Sequence, residues 1–170
     1  MKQYLYKFLL LILIVTSCEG FKEKVDPSES YVADKPIVIE YNGSSLYVMP
    51  VDQAESSPWG SSPSMADASS LTDGALNTQR IVDSLGEGNY AAYLCDTMSA
   101  YGYDDWYLPS KAELNVLFQH KDKIGTLEPY FYWSSTEANE YWSWGQDFYD
   151  GAQDTTRKYY YKYVRCVRRD

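Results

Sequence analysis

A single change of period constrains this fold more than any other feature of the sequence. Between Thr72 and Lys121 apolar residues recur every three or four positions, whereas beyond Tyr141 they alternate, so helices come first and strands follow. Thr72-Asp73 opens a helix expected to reach about Leu85, with Ala75, Thr78, Ile81, Val82 and Leu85 on one stripe and Gly86 and Gly88 to stop it. A second helix is expected over residues 89–100, with Ala91, Leu94, Cys95 and Met98 toward the core. Ser110 and Glu113 form a capping box, and Leu114, Leu117 and Phe118 carry a third, short helix to about Lys121. Upstream, Ile37 to Met49 reads as strand, turn and strand, because Asn42-Gly43 is a favoured hairpin pair. Residues 49–70 read as irregular. Downstream, Trp142, Trp144, Gln146 and Phe148 share one strand face, and Tyr141, Ser143, Gly145, Asp147 and Tyr149 the other. This phase sends Trp144 and Phe148 inward, beside Trp106 and Leu108. Tyr159 to Arg168 reads as one last strand, with Val164 and Cys166 inward, opposite Arg165 and Val167. The order is that of an α+β domain.

The N-terminus points to export. Lys2 and Lys7 precede the unbroken apolar run Phe8–Val15, which is too short to span a bilayer and suits the h-region of a signal peptide. Val15-Thr16-Ser17-Cys18 resembles the lipobox of bacterial lipoproteins, in which the leader is removed and the cysteine carries lipid. An ordinary cleaved signal followed by a stray cysteine is the alternative. The expected organisation is a leader over 1–17, a polar tether over 18–36 with Pro27 and Pro36, and one domain over 37–170. The formal charge is −9, and losing Lys2 and Lys7 makes it more negative. An acidic chain argues against a nucleic-acid partner and against electrostatic attachment to anionic lipid. Membrane contact is therefore expected through the N-terminal lipid alone, in the cell envelope.

With Cys18 lipidated, Cys95 and Cys166 remain, an even pair in an oxidising compartment. Both fall on core-facing positions, so a bridge is expected; two buried free thiols are the alternative.

Several pieces then occur in a telling order. They are Val51-Asp52-Gln53 with Trp59-Gly60, TDGALNTQRIV from Thr72, EGNYAAYLC from Glu87, GYDDWYLPSKAELNVLF from Gly102, YWSSTE from Tyr132, WGQDFYDG from Trp144 and VRCVR from Val164. Together they resemble the Lcl C-terminal domain family, named for the tip of a bacterial collagen-like adhesin. The resemblance covers about Ile37 to Arg169. It implies a C-type-lectin-like fold: two to three helices packed on a small, twisted, mostly antiparallel sheet, with the chain ends close together. Formylglycine-generating enzymes and the variable proteins of diversity-generating retroelements share that broad fold.

Catalysis is not expected. His120 is the only histidine and no G-x-S-x-G element precedes a helix, so no catalytic residues are assigned. A formylglycine-generating-enzyme-like oxidase using Cys95 or Cys166 is the enzymatic alternative. No cofactor and no metal are expected: zinc lacks ligands, and Glu137, Glu140, Asp147, Asp150 and Asp154 do not match an EF-hand loop.

What remains is a surplus of rings near the C-terminus. Tyr141, Tyr149, Tyr159 and Tyr161, with Trp142 and Tyr160, fall on outward phases or near turns, among Asn139, Asp150 and Gln153. Tyrosine offers a rigid apolar face and a hydroxyl at low entropic cost. The expected ligand site is therefore Asn139, Tyr141, Trp142, Tyr149, Asp150, Tyr159 and Tyr161, taking a glycan or a protein at the cell surface. Rings that merely cover cross-strand neighbours are the bland alternative. A structural subunit of a surface assembly is another, and a retroelement-diversified binding surface over residues 138–163 a third.

Overall fold

The computed structural model describes residues 35–170, so the leader, Cys18 and most of the tether lie outside the described residues. The domain is α+β, with four helices and two mostly antiparallel sheets. Strands β1 (Ile37–Tyr41) and β2 (Ser44–Val48) form the expected hairpin around Asn42-Gly43. Strand β3 (Ala54–Pro58) follows, then helices α1 (Gly74–Leu85), α2 (Ala91–Asp96), α3 (Lys111–Gln119) and α4 (Lys121–Ile124). Strands β4 (Phe131–Glu137), β5 (Trp142–Asp147), β6 (Gln153–Arg157), β7 (Tyr161–Val164) and β8 (Val167–Arg169) complete the chain. One sheet has the order β1-β2-β8 and the other β3-β7-β4-β5-β6, with β4 and β7 parallel through Tyr132 and Tyr163.

Local rules set the helix starts. Asp73 caps α1 by accepting from the Leu76 amide, and Ser110 with Glu113 closes the capping box of α3. The stripe of α1 is shifted from the expected one. Gly74, Asn77, Thr78 and Ile81 are buried while Ala75 is exposed, because polar Asn77 and Thr78 bond inward to the backbone at Ser70 and Leu108. Helix α2 is shorter than the expected span of 89–100.

Two strand readings are corrected. Ser143 and Gly145, expected outward, are buried, while Trp144 is only half-buried. The cause is that both faces of β5 are covered, so alternation no longer separates wet from dry. The Trp144 face meets α3, where Lys111 lies 3.2 Å from the ring centroid and Gln146 donates to Asn115. The last stretch is two strands in different sheets. Arg165 and Val167, expected outward, are fully buried at the crossing point. Arg165 is satisfied there by Asp52, Met49 O and Thr126.

The core has two parts. One gathers Trp59, Ile81, Ala91, Ala92, Trp106, Leu108, Trp133 and Val164 around the Cys95–Cys166 disulfide, whose Cα atoms lie 5.5 Å apart. The other packs Ile39, Leu46, Val48 and Val167 against Leu114 and Leu117 of α3, with Tyr132 and Phe148 beside them.

Candidate functional site

The motif residues build scaffold. Glu113 is fully buried and accepts from the Gly74 and Ser110 amides, the Ser110 hydroxyl and the Tyr107 phenol, tying the starts of α1 and α3 together. Burial, then the Glu113 charge, pushes the Tyr107 phenol well above its ordinary value. Glu137 accepts the Ala66 amide and pairs with Lys158, which also donates to Ser64 O and lies 4.5 Å from the Trp59 centroid. Burial pulls the Lys158 ammonium below the usual lysine value, against the pull of Glu137. Asp52 binds Arg165 and Tyr132, and Gln53 accepts the Cys166 amide. Trp59 and Trp133 donate to Ser134 O and Ser57 O. Residues used in this way are spent on internal contacts.

The exposed rings occupy the surface around them. Tyr149 is 79% exposed, Tyr161 64%, Tyr159 52%, Tyr160 48% and Tyr141 39%. They do not form one patch. The β4–β5 and β6–β7 turns meet at one end of the five-stranded sheet, where Lys158 N donates to Tyr141 O and Trp142 pairs with Arg157. This end brings together Asn139, Tyr141, Trp142, Tyr159 and Tyr160, with Tyr161 following on β7. Tyr149 and Asp150 belong to the β5–β6 turn at the far end of β5. At about 3.3 Å per residue, that is roughly 20 Å away or more.

The two polar members serve the backbone. Asn139 Oδ1 accepts the Tyr141 and Trp142 amides, and Asp150 Oδ1 accepts the Ala152 amide. Each thus shapes the turn that carries its neighbouring ring. Arg157 is the member that sequence reasoning missed. Its guanidinium lies 4.4 Å from the Trp142 centroid and 5.8 Å from that of Tyr141, fixing both rings and adding a cation to the patch. Only its register opposite Trp142 in β6 could have revealed it, and QDTTR carries no strand signal of its own. Tyr159 and Tyr160 brace each other edge to face at 4.9 Å, and Lys162 approaches Tyr160 and Phe131.

His120 Nδ1 meets Val116 O at the end of α3, and both Cys95 and Cys166 are consumed by their bridge. Among the described residues, no group of three or more His, Cys, Asp or Glu side chains is placed to hold a metal ion.

No curated protein matches the chain. The family described as the Lcl C-terminal domain matches residues 49–168, which takes in every scaffold motif from Asp52 to Arg168. That span is more than half of the 170 residues, and the chain belongs to the Lcl C-terminal domain family.

Proposed function

We propose that this is an envelope lipoprotein, anchored through Cys18, whose domain recognises a glycan or a protein at the cell surface without catalysing a reaction. The observation that carries the reading is the division of labour between motifs and rings. The family residues are locked into internal bonds, whereas exposed rings stand at and beside one sheet end: Tyr141 and Trp142 are held by Arg157, Tyr159 and Tyr160 brace each other, and exposed Tyr161 follows on β7. Rigid, exposed, amphipathic rings lose little entropy on binding. A C-type-lectin-like architecture is supported by the first and last strands of the described domain flanking the same strand, since β1 and β8 both pair with β2.

The test is binding of the purified domain to a glycan array and to native envelope proteins. Tyr159, Tyr160 and Tyr161 changed together to serine are expected to lower binding at least about tenfold, as for rings at an interface centre. Tyr149→Ser, at the far end of the sheet, is expected to leave binding unchanged. Equal binding by the triple variant would refute the placement of the site.

A further inference from the structure

A groove of about 310 Å³ lies on the three-stranded sheet, lined by Lys35, Pro36, Val38, Tyr47, Tyr101 and Tyr103. That volume is at the small end of the range for ligand sites. Tyr47 and Tyr103 approach to 6.0 Å between centroids, and Arg168 lies 4.8 Å and 3.9 Å from their rings. Arg168 is itself fixed by two bonds to Asp105, at 2.6 Å and 3.0 Å, so both rings are set before any ligand arrives.

The third ring is placed at a backbone cost. Ala100 and Tyr103 exchange both backbone hydrogen bonds, and between them Tyr101 and Gly102 have φ of +58° and +80°. The same turn occurs between β1 and β2, where Asn42 and Gly43 have φ of +51° and +80°. Turns with two left-handed central residues favour asparagine or glycine at the first, and a bulky ring there is an outlier. Thus the molecule uses Asn-Gly at one such turn and Tyr-Gly at the other. Strained backbone of this kind concentrates at functional sites. Here it places a ring in the wall of the groove, packed edge to face on Trp106 with the ring centroids 6.4 Å apart.

We infer that this groove takes one sugar ring of a glycan. The C–H faces of a pyranose would stack on the tyrosines. Its hydroxyls would meet polar groups beside the rings: Tyr47 Oη donates to Asp170 at 3.2 Å, and Lys35 lines one side. An acyl chain would leave those charged groups unpaired. The inference does not depend on the ring cluster at the end of the five-stranded sheet.

The deciding experiment compares four proteins on arrays of defined glycans and of peptides: the wild type, Tyr103→Ala, Tyr101→Asn, and the Tyr159/Tyr160/Tyr161 serine variant. Tyr103→Ala is expected to lower glycan binding at least tenfold with little change in Tm. Tyr101→Asn is expected to lose the same binding while melting at or above the wild-type temperature, because asparagine suits the turn. Unchanged glycan binding by both groove variants, or wild-type binding to peptides alone, would overturn the inference. So would a Tyr101→Asn protein that melts far below the wild type, because the ring would then be a cover for Trp106. Loss in the serine variant with both groove variants intact removes the groove and keeps the hairpin-end site; the reverse does the opposite.

Discussion

Glu113 illustrates how much a single buried carboxylate can organise. Its Oε2 takes up the first amide of α1 and the capping amide of α3, while Oε1 receives the Tyr107 phenol. The arrangement requires glycine at position 74, where a Cβ would stand 2.5 Å from Glu113 Oε2, 2.6 Å from Ser110 N and 2.7 Å from Leu108 O. Two of those atoms are backbone and cannot swing aside. Gly74→Ala is therefore expected to lose about 1–3 kcal/mol in urea denaturation, as overpacked cores do; a loss under about 0.5 kcal/mol would show that the junction is soft. Asp105 gives the pH-dependent counterpart. Its hydrogen bond from Arg168 holds the carboxyl below the ordinary value. A depressed folded-state pKa adds stability above the unfolded pKa and loses it as pH falls through the folded one. Asp105→Asn is thus expected to lower Tm at pH 7 and to match the wild type once the pH is well below the ordinary carboxylate range. An equal deficit at both pH values would make the residue a packing element rather than a charge.

At the scale of elements, the disulfide matters most because the pieces around it are short. It ties helix α2, of 6 residues, to the link between β7, of 4, and β8, of 3, all well below the length at which local structure is stable alone. The bridge spans 71 residues of sequence, and a loop of that order constrains the unfolded chain by about 4 kcal/mol. Replacing both cysteines by alanine is expected to cost about 2–5 kcal/mol by the same measurement, and the unreduced, denatured domain should show no free thiol. Elements whose signals are local were legible in the sequence: the Asn-Gly hairpin, the Asp73 cap, the Ser110 capping box and the core-facing Cys95 and Cys166. Those whose pattern depends on distant partners were not. Strand β3 (AESSP) and strand β6 (QDTTR) are polar edge strands with no alternation to read, and charge or proline on an edge guards it against stray pairing. The phase of β5 was unreadable because α3 covers the Trp144 face while the Ser143 face is also buried. The switch of sheets after Val164 rests on Asp52 and Thr126 receiving Arg165 from far away in sequence. The candidate site was legible as composition, a ring surplus near the C-terminus. Its division between two ends of β5 depended on topology.

For the whole molecule, the proposed anchoring has to hold an acidic chain at a membrane. A formal charge of −9 offers no attraction to an anionic leaflet. Among the described residues no helix is long and apolar enough to cross a bilayer. Seven basic side chains of the domain, Lys111, Lys121, Arg157, Lys158, Lys162, Arg168 and Arg169, lie over aromatic rings, and those contacts compete with any basic lipid-binding face. Under the proposed anchoring, attachment comes from acyl chains at Cys18, each buried methylene adding about 0.8 kcal/mol. Such attachment is indifferent to salt, whereas an ionic one fails in 1 M salt, where the screening length is only about 3 Å. The native protein is therefore expected to stay with washed membranes in 1 M salt and to leave them in detergent. Its N-terminal peptide should begin at Cys18 and carry the mass of the lipid. A version in which a cleavable leader without a lipobox replaces residues 1–18 should be soluble at every salt concentration. If that version remained on the membranes, the domain itself would supply the contact, and the exposed rings of the hairpin end would become candidates for holding an envelope partner.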